Sequence, residues 1–455
     1  MIAGLGALAL AACSTTGAGP GTASAPNTPW TPPADVNVGA RSSAPATPAV
    51  PNEGPIALAQ IIDIALSNNP TTRTAWLEAR GAEAALGSER SAYFPEVDVL
   101  ATATRSRPPA EGASASTTIA PSLALTYLLF DFGGRDAQVE QARQTLIAAD
   151  FAHNAAIQDV VLRVQQVYYA LLDAKALLEA QDATLKERRA NLDAAEARHN
   201  AGVATIADVL QARTALSQAR LTAETIEGNL RTIEGTLSTT MGLPATARFD
   251  IGALPLDIPA QQVSDDVGRL IADAVQQRPE LGAARAFAER AHARVQEVRA
   301  QGLPTLNAVA SAGHTLINGF DTRTTPYSAG IAFRFPLFTG WRNTYDLRRA
   351  ETEVEIANED LRGLEQQVGL QVWTSYFALQ TATQRLATSR DLLASAQESA
   401  EVAAGRYRAG VGNIIDLLTA EAALENARAL EVQARADWFV AVAQLAHDTG
   451  NLTRR

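Results

Sequence analysis

The chain has 455 residues, of which 47% are apolar but only 5% are aromatic, so that alanine, leucine and valine supply most of its apolar surface. This composition favours long helices packed side by side over a large aromatic core. A formal net charge of −11 with scattered lysines and arginines excludes a basic nucleic-acid-binding stripe, and a single cysteine excludes an internal disulfide framework.

An apolar run over residues 2–12 has the length of a signal peptide and is too short to span a bilayer as a helix. It ends in Leu10-Ala11-Ala12-Cys13, which resembles the lipobox of bacterial lipoproteins. On this interpretation residues 1–12 are a signal peptide and Cys13 is the lipidated first residue of the mature chain. An ordinary secretory signal cleaved nearby is the alternative. No basic segment precedes the run, which leaves open a true start upstream of Met1.

Residues 13–55 are rich in proline, serine, threonine, alanine and glycine, and they indicate a lipidated, extended tether without a core. Regular structure is predicted to begin with a short helix over 56–68. A second helix starts at Pro70, a residue favoured at the first helical position, and continues to about Ala92. Pro95 ends it.

Strands are predicted near 96–106 and 117–130. In the second strand, Leu123, Leu125 and Tyr127 alternate with serine, alanine and threonine. One apolar face and one small or polar face fit membrane strands with lipid on one side and water on the other. A soluble hairpin packed on the helices is the alternative, because such signals are weak in each single segment.

A very long helix is predicted over about 134–200, where the 4–3 spacing of apolar residues is typical of a coiled coil. Ala201-Gly202-Val203 reverses the chain, and a second helix follows over about 206–241. At about 1.5 Å per residue the long helix measures on the order of 100 Å. The two shorter helices, stacked end to end, nearly match that length and would lie beside it in one cylinder wall.

The chain then repeats itself. Residues 244–263 link two similar halves, 56–243 and 264–451, in which Gly202 recurs as Gly410 at an offset of 208 positions. The second half is predicted to contain a helix to about Ala300, strands near 305–316 and 327–338, a helix over 341–408, a reversal at Ala409-Gly410-Val411 and a helix over 413–449.

Aromatic residues cluster at the helix-side ends of the predicted strands, a distribution typical of a membrane interface. These are Tyr93, Phe94, Phe130, Phe132, Phe338 and Trp341. Four strands cannot close a barrel, and open edges are not tolerated in lipid, so oligomerisation is required. Two chains would give eight strands with a nearly filled interior, whereas three would give twelve and leave room for a channel.

The double repeat, the strand-to-helix junctions and the reversals together resemble the TolC outer-membrane efflux family over about 56–451. The junctions are Leu129-Phe130-Asp131-Phe132-Gly133-Gly134-Arg135 and Pro336-Leu337-Phe338-Thr339-Gly340-Trp341-Arg342, and the reversals are 197–210 and 405–418. The lipobox is similar to that of the OprM-like lipoprotein branch. The resemblance implies a mainly α fold with a membrane β part. In it, long antiparallel coiled-coil helices form a tunnel and four strands per protomer contribute to a twelve-stranded trimeric β-barrel.

The function implied by the resemblance is a passive exit duct in the cell outer membrane that extends into the periplasm. Its expected partners are two further copies of the chain, outer-membrane lipid, a periplasmic adaptor protein and an inner-membrane pump of the RND or ABC type. Such a duct serves tripartite efflux or type I secretion.

The resemblance also assigns residues. Asp208, Tyr407 and Asp416 match the pattern of a periplasmic gate, whereas Gly412 and Thr419 depart from it. Helix capping is the alternative role for the two aspartates. The six residues of the two reversals are expected to contact the adaptor: Ala201, Gly202, Val203, Ala409, Gly410 and Val411.

The sequence contains no recognisable enzyme site. Its five histidines are dispersed, no two have metal-ligand spacing on one helix, and no glycine loop follows a strand as a phosphate-binding motif requires. We therefore expect no cofactor, no bound metal and no catalysis. The alternative to a duct is a periplasmic coiled-coil lipoprotein without a pore that acts as a structural adaptor.

Overall fold

The computed structural model describes residues 54–107, 109, 114–256, 258, 266–318 and 322–452, all within the unit Ala49–Arg455. The predicted signal peptide over 1–12, Cys13 and the tether up to residue 53 lie outside the described residues. The lipid anchor therefore stays a prediction.

The described chain is mainly helical with one antiparallel sheet. The helices are α1 (Leu58–Asn68), α2 (Pro70–Arg90), α3 (Gly134–Asn200), α4 (Ile206–Thr240), α5 (Val267–Gln277), α6 (Pro279–Gln301), α7 (Arg342–Arg408) and α8 (Ile414–Asp448). A 3₁₀ turn, Ser91–Tyr93, follows α2. The strands are β1 (Glu96–Ser106), β2 (Ser116–Phe130), β3 (Thr305–Gly313), β4 (Thr315–Asn318), β5 (Thr322–Thr324) and β6 (Tyr327–Arg334).

The internal repeat of the sequence is also seen in the lengths and positions of the helices. α3 and α7 have 67 residues each, α4 and α8 have 35 each, and both pairs are offset by the same 208 positions that relate Gly202 to Gly410. The chain therefore contains two equivalent helical hairpins, α3–α4 and α7–α8.

The apolar spacing of the long helices is buried as predicted. Val164 and Leu171 on α3, and Val372 and Leu386 on α7, are each 1% exposed or less. The largest core surrounds Val164, where α1, α3 and α4 meet the segment that follows α4. Among the described residues, no helix has the length and apolarity needed to cross a membrane.

The sheet has the order β1–β2–β3–β6, and every neighbouring pair is antiparallel. β4 and β5 extend the middle of this sheet: β4 pairs with β2, and β5 pairs with β4. β5 lies between the strands predicted near 305–316 and 327–338, and its three residues are too few to show an alternation in the sequence. β6 ends at Arg334, ahead of the predicted end at 338, and Pro336 has no N–H with which to continue a ladder.

Candidate functional site

One face of the sheet is apolar in the rows that contain Leu123, Leu125 and Tyr127 of β2, and it becomes polar toward the far end of β1, where Arg105 pairs with Thr117. The ladder pairs Val99 with Leu123, Leu123 with Ala312, and Ala312 with Tyr327. The next row is Val97, Leu125, Ala310 and Ala329, and the row of Tyr127 continues through Ala308 to Ile331. The same registers give the opposite face the row Asp98, Ala124, Ser311 and Ser328. The apolar alternation predicted in β2 therefore extends across the sheet.

This apolar face is uncovered in the single chain. Val99 is 79% exposed, Tyr327 86% and Ile331 69%. A contiguous exposed apolar surface of this kind marks a contact with lipid or with another protein.

The six predicted interface aromatics are all exposed and lie at the junctions between sheet and helices. The rings of Phe130 and Phe132 meet edge to face with centroids 4.7 Å apart, and those of Phe338 and Trp341 do so at 6.2 Å. The hydroxyl of Tyr93 donates to Asp136. These side chains are placed where the prediction requires, but the membrane level that they mark stays a prediction.

Each junction from strand to long helix contains two consecutive left-handed residues. In the first these are Phe132 and Gly133, and in the second Gly340 and Trp341. Left-handed backbone in a bulky aromatic residue is unfavourable, so the surrounding contacts must hold it. At the first junction Arg135 supplies such contacts: its guanidinium donates to the carbonyls of Ala92 at 3.2 Å and Leu128 at 3.0 Å.

The first helix reversal is closed by its glycine and a capping box. Gly202 has φ +77°, and the N–H of Val203 donates to the Arg198 carbonyl at 2.9 Å, a typical glycine-terminated helix end. Thr205 caps α4: its hydroxyl accepts from the N–H of Asp208 at 3.3 Å, and the Asp208 carboxylate accepts from the N–H of Thr205 at 3.0 Å. Asp208 thus serves as a helix cap within the single chain.

The second reversal has the same backbone but a different cap. Gly410 has φ +77°, and the side chain of Asn413 accepts from the N–H of Asp416 at 2.8 Å. The capping oxygen therefore comes from Asn413, and the carboxylate of Asp416 is not used in a capping box. A side chain in place of Gly412 would bring its Cβ within 3.1 Å of Arg406 Cβ. An arginine at this position would therefore require the end of α7 to shift.

The structure brings two of the three predicted gate residues into one electrostatic neighbourhood. Tyr407 is buried against Ile414 and Leu417, and its hydroxyl has no hydrogen-bond partner among the described residues. Burial raises the pKa of Tyr407, the charge of Arg198 lowers it, and that of Asp208 raises it. Asp416 does not enter this group. Tyr407 and Asp208 form no hydrogen bond within the single chain.

Arg198 is the tip residue that the sequence prediction missed. Its guanidinium lies 4.8 Å from the centre of the Tyr407 ring and donates to the Tyr407 carbonyl at 2.8 Å. A cation at the C-terminal end of α7 is favoured by the helix dipole, so Arg198 ties the first hairpin to the tip of the second.

A second missed group joins the two hairpins above the tips. Arg188 on α3 and Glu421 on α8 form an ion pair at 2.7 Å with side chains 4% and 9% exposed, and Asn191 donates to the same carboxylate at 2.7 Å. Glu187 and Arg428 add a pair at 3.0 Å. Burial is the main cause that raises the pKa of Glu421. The signal in the sequence was the charge of Arg188 at an apolar position of the heptad.

No group of residues suited to hold a metal ion occurs within the described ranges.

Comparison with known proteins agrees with this architecture. The sequence profile of the family described as "Outer membrane efflux protein" matches residues 61–243 and 270–451. Protein CyaE of Bordetella pertussis is 29% identical over 383 residues, which cover 82% of this chain and 79% of that protein. The toluene efflux pump outer membrane protein TtgC of Pseudomonas putida is 26% identical over 82% of this chain and 78% of its own length.

Solved structures share the fold. The outer membrane protein VceC of Vibrio cholerae superposes with a TM-score of 0.75 at 23% identity, over 86% of this chain and 96% of VceC. The outer-membrane channel OprN superposes with a TM-score of 0.78 at 20% identity, over 87% of this chain and 90% of OprN. Since the profile match spans most of both repeats, the chain belongs to the outer membrane efflux protein family.

Proposed function

We propose that three copies of this chain form a passive exit duct that crosses the outer membrane and extends through the periplasm as a helical tunnel. The observation that carries the proposal is the continuous apolar face of a four-strand-wide sheet joined, in the same chain, to two 67-residue helices. It is a channel of the efflux family and not an enzyme.

The edges of the sheet require further copies. Among the described strands, β1 pairs only with β2 and β6 only with β3, so each has one open side. Open backbone edges are not tolerated in lipid, and pairing β1 of one copy with β6 of the next removes both. Each copy is four strands wide, so three copies give a barrel wall of twelve strands and leave a channel. Two copies would give eight strands, whose side chains would nearly fill the interior.

The helices set the reach of the duct. Each 67-residue helix spans about 100 Å at 1.5 Å per residue, which places both reversals far from the sheet. The exposed small residues around Gly202 and Gly410 allow close approach of another helical tip. A periplasmic adaptor is the partner for this end, and an inner-membrane pump of the RND or ABC type supplies the energy. On the non-channel alternative, the apolar face of the sheet would stay uncovered.

The test is assembly together with conductance. The purified full chain in mild detergent should have the mass of a trimer and should give discrete conductance steps in planar bilayers. Ile331→Arg places a charge on the apolar face. It should make the free energy of membrane insertion about 2–4 kcal/mol less favourable if the residue lies near the bilayer midplane. Ala332→Arg, one residue further and on the other face, is the matched control and should insert normally. A monomer without conductance would contradict the proposal.

The gate is proposed at the reversals. Asp208 already contributes to the electrostatic environment of Tyr407. The hydroxyl of Tyr407 is buried and unpartnered in the single chain, so the tip must rearrange on assembly for it to donate to a group of another copy. Three copies of Asp416 near the axis would concentrate negative potential and favour cations. Tyr407→Phe combined with Asp208→Ala should raise single-channel conductance, and Asp416→Ala should weaken cation selectivity. If these residues act only as structural groups, both recordings will match wild type while thermal stability falls.

A further inference from the structure

Near the sheet, four helices form a single curved layer in the order α2, α3, α6 and α7, because each packs on the next. One cavity of about 1020 Å³ is lined by residues of all four helices, among them Ala82, Ala85 and Glu89 of α2. Only the concave side of such a layer can touch every member. In the proposed duct this side is the lumen, and the opposite side of the layer faces the periplasm.

A second cavity, of about 490 Å³, lies on the opposite side of α2. Arg73 and Trp76 line it, and they stand nine residues before Ala82 and Ala85 of the lumen cavity. Nine residues make two and a half helical turns, so the two pairs point in opposite directions. We call this cavity the outer groove, and it is defined by Ser67 at the end of α1, Arg73 and Trp76 on α2, and His153 and Ile157 on α3.

The outer groove presents an aromatic ring beside hydrogen-bond donors. Trp76 is 43% exposed, although the guanidinium carbon of Arg80 lies 5.0 Å from its ring centre. Within the described part of the chain, the side chains of Arg73 and His153 have no hydrogen bond or ion pair. Among the described residues that line the groove there is no carboxylate. The groove therefore offers an open indole ring and a positive charge that no group of the same chain neutralises.

The equivalent place in the second half of the chain is filled. Arg285 is the seventh residue of α6, as Trp76 is of α2. Arg285 donates to the Val275 carbonyl at 2.6 Å and pairs at 3.6 Å with Glu365, which is 208 positions after Ile157. An ion pair thus closes in the second half the space that a tryptophan and an isoleucine leave open in the first. The outer groove is therefore a property of these particular side chains and not of the repeated fold.

We propose that the outer groove binds an acidic glycan of the cell wall, with a sugar ring packed on Trp76 and a carboxylate attached to that sugar bound by Arg73. The C–H face of a pyranose is apolar and fits an indole ring, while its hydroxyl groups need polar partners beside that ring. Arginine suits a carboxylate because its N–H groups match both oxygens. The inference rests on the proposed duct, which places this side of the helices in the periplasm.

The position of the outer groove argues against lipid and against a second copy. His153 is 19 residues beyond Gly134, the first residue of α3, so the groove lies about 30 Å from the sheet, out of reach of lipid headgroups. A second copy would meet the free edge of α2, which Leu77 marks because it stands nine residues from the buried Leu86 and points away from it. The groove instead lies between α2 and α3 of one chain, where a strand of glycan can reach it from the periplasm.

Binding of a soluble wall fragment tests the proposal. The purified full chain in mild detergent is titrated with a disaccharide-tetrapeptide muropeptide by calorimetry. Arg73→Gln and Trp76→Ala should each weaken binding about tenfold or more, as the loss of a charge-assisted contact or of an aromatic anchor does. Trp76→Phe keeps an aromatic ring and should retain most of the affinity. Phe287→Ala removes an exposed ring from the lumen cavity and is the matched control, which should bind as wild type does.

Two further ligands separate the sugar from its acid. Chitotetraose has N-acetylated sugars without a carboxylate, and the free tetrapeptide stem has carboxylates without a sugar. Each should bind about tenfold or more weakly than the muropeptide, because each lacks one of the two contacts. Arg73→Gln should leave the weak binding of chitotetraose unchanged. Equal affinity for the muropeptide and either part would overturn the assignment of an acidic glycan.

A photoreactive label identifies the occupant of the outer groove in cells. Ser67→Cys places the label at the end of α1, on the rim of the groove, and wild type, in which Cys13 is the one cysteine, controls for labelling elsewhere. Capture of wall fragments, reduced several-fold by adding Trp76→Ala, supports the proposal. Capture of the chain's own residues before 54, of another copy or of a different protein overturns it.

The outcomes separate the inference from the proposed function. A conducting trimer that binds no muropeptide overturns the inference but leaves the duct. A conducting trimer whose binding survives both Trp76→Ala and Arg73→Gln, or falls in Phe287→Ala, does the same. A chain that remains monomeric without conductance contradicts the duct, and with it the placement of the outer groove in the periplasm.

Discussion

The two helical hairpins have the same backbone and different polar contacts. α3–α4 and α7–α8 agree in the length of every helix and in the left-handed glycine at each reversal. They differ where charged groups cross between elements. Arg278, Asp448 and His447 cluster at the end of α8, while the equivalent place at the end of α4 has Asn69 donating to the Thr240 carbonyl. Apolar spacing and turn glycines set the hairpin, and polar residues make its two copies distinct.

The largest expected effect comes from the ion pair of Arg188 with Glu421, because the equivalent positions, Ala396 and Arg213, cannot form one. Arg188→Ala leaves Glu421 buried without its cation, which should cost about 3–5 kcal/mol and lower the melting temperature of the protein. Arg213→Ala is the matched control, because Arg213 stands at the equivalent position to Glu421 and forms only an exposed pair with Glu196. Its cost should be about 1 kcal/mol or less. Equal losses in the two variants would show that the hairpins are not distinguished in this way.

A smaller difference is expected at the glycines that end α4 and α8. Gly242 and Gly450 both have φ +76°, so alanine at either position should cost about 1–2 kcal/mol in backbone energy. A Cβ at Gly242 would lie 2.5 Å from the Asn68 carbonyl oxygen, whereas one at Gly450 would meet its nearest atom at 3.2 Å. Gly242→Ala should therefore lose about 1–3 kcal/mol more, as overpacking does. Thermal unfolding of both variants measures this difference, and a larger loss at Gly450 would contradict it.

The last expected effect is a pH dependence that arises at His447, a residue of the second half that contacts Asp159 of the first half. Burial lowers the pKa of His447, but hydrogen bonds to Asp159 and Asp448 outweigh burial and raise it from 6.5 to about 9. A raised folded-state pKa gives stability that is fully present below pH 6.5 and is lost as the pH rises through 9. The melting temperature of wild type should therefore fall over this window more than that of His447→Gln. Thr239→Ser, at the equivalent position, should keep the wild-type slope.

Local signals were sufficient to predict the helices. The start of α3, its end at Asn200 and the start of α4 at Ile206 agree with the sequence expectation, because apolar spacing, a glycine and a capping threonine all lie within a few residues. The pair of Arg188 and Glu421 was not predictable in this way, since 233 residues separate its partners. The sequence shows a charge at a core position but not which distant carboxylate meets it.

The contacts of the gate residues were likewise not predictable from the sequence. Asp208 and Asp416 occupy equivalent positions, yet Asp208 joins a capping box while Asn413 supplies the cap beside Asp416. The difference goes with a threonine at 205 and an asparagine at 413, which occupy equivalent positions in the two halves. The placement of Tyr407 beneath Arg198 depends on the packing of both hairpins and therefore appeared only in three dimensions.

The equal lengths of α3 and α7 have a consequence for the symmetry of any assembly. Both helices leave the same edge of the sheet, where Phe130 pairs with Leu306 and Thr305 with Arg334, and both run for 67 residues before reversing. The two tips of a chain thus end without an axial step between them. In a ring of such copies all the tips lie at one height, so a partner can meet the first and the second hairpin of every copy in the same plane.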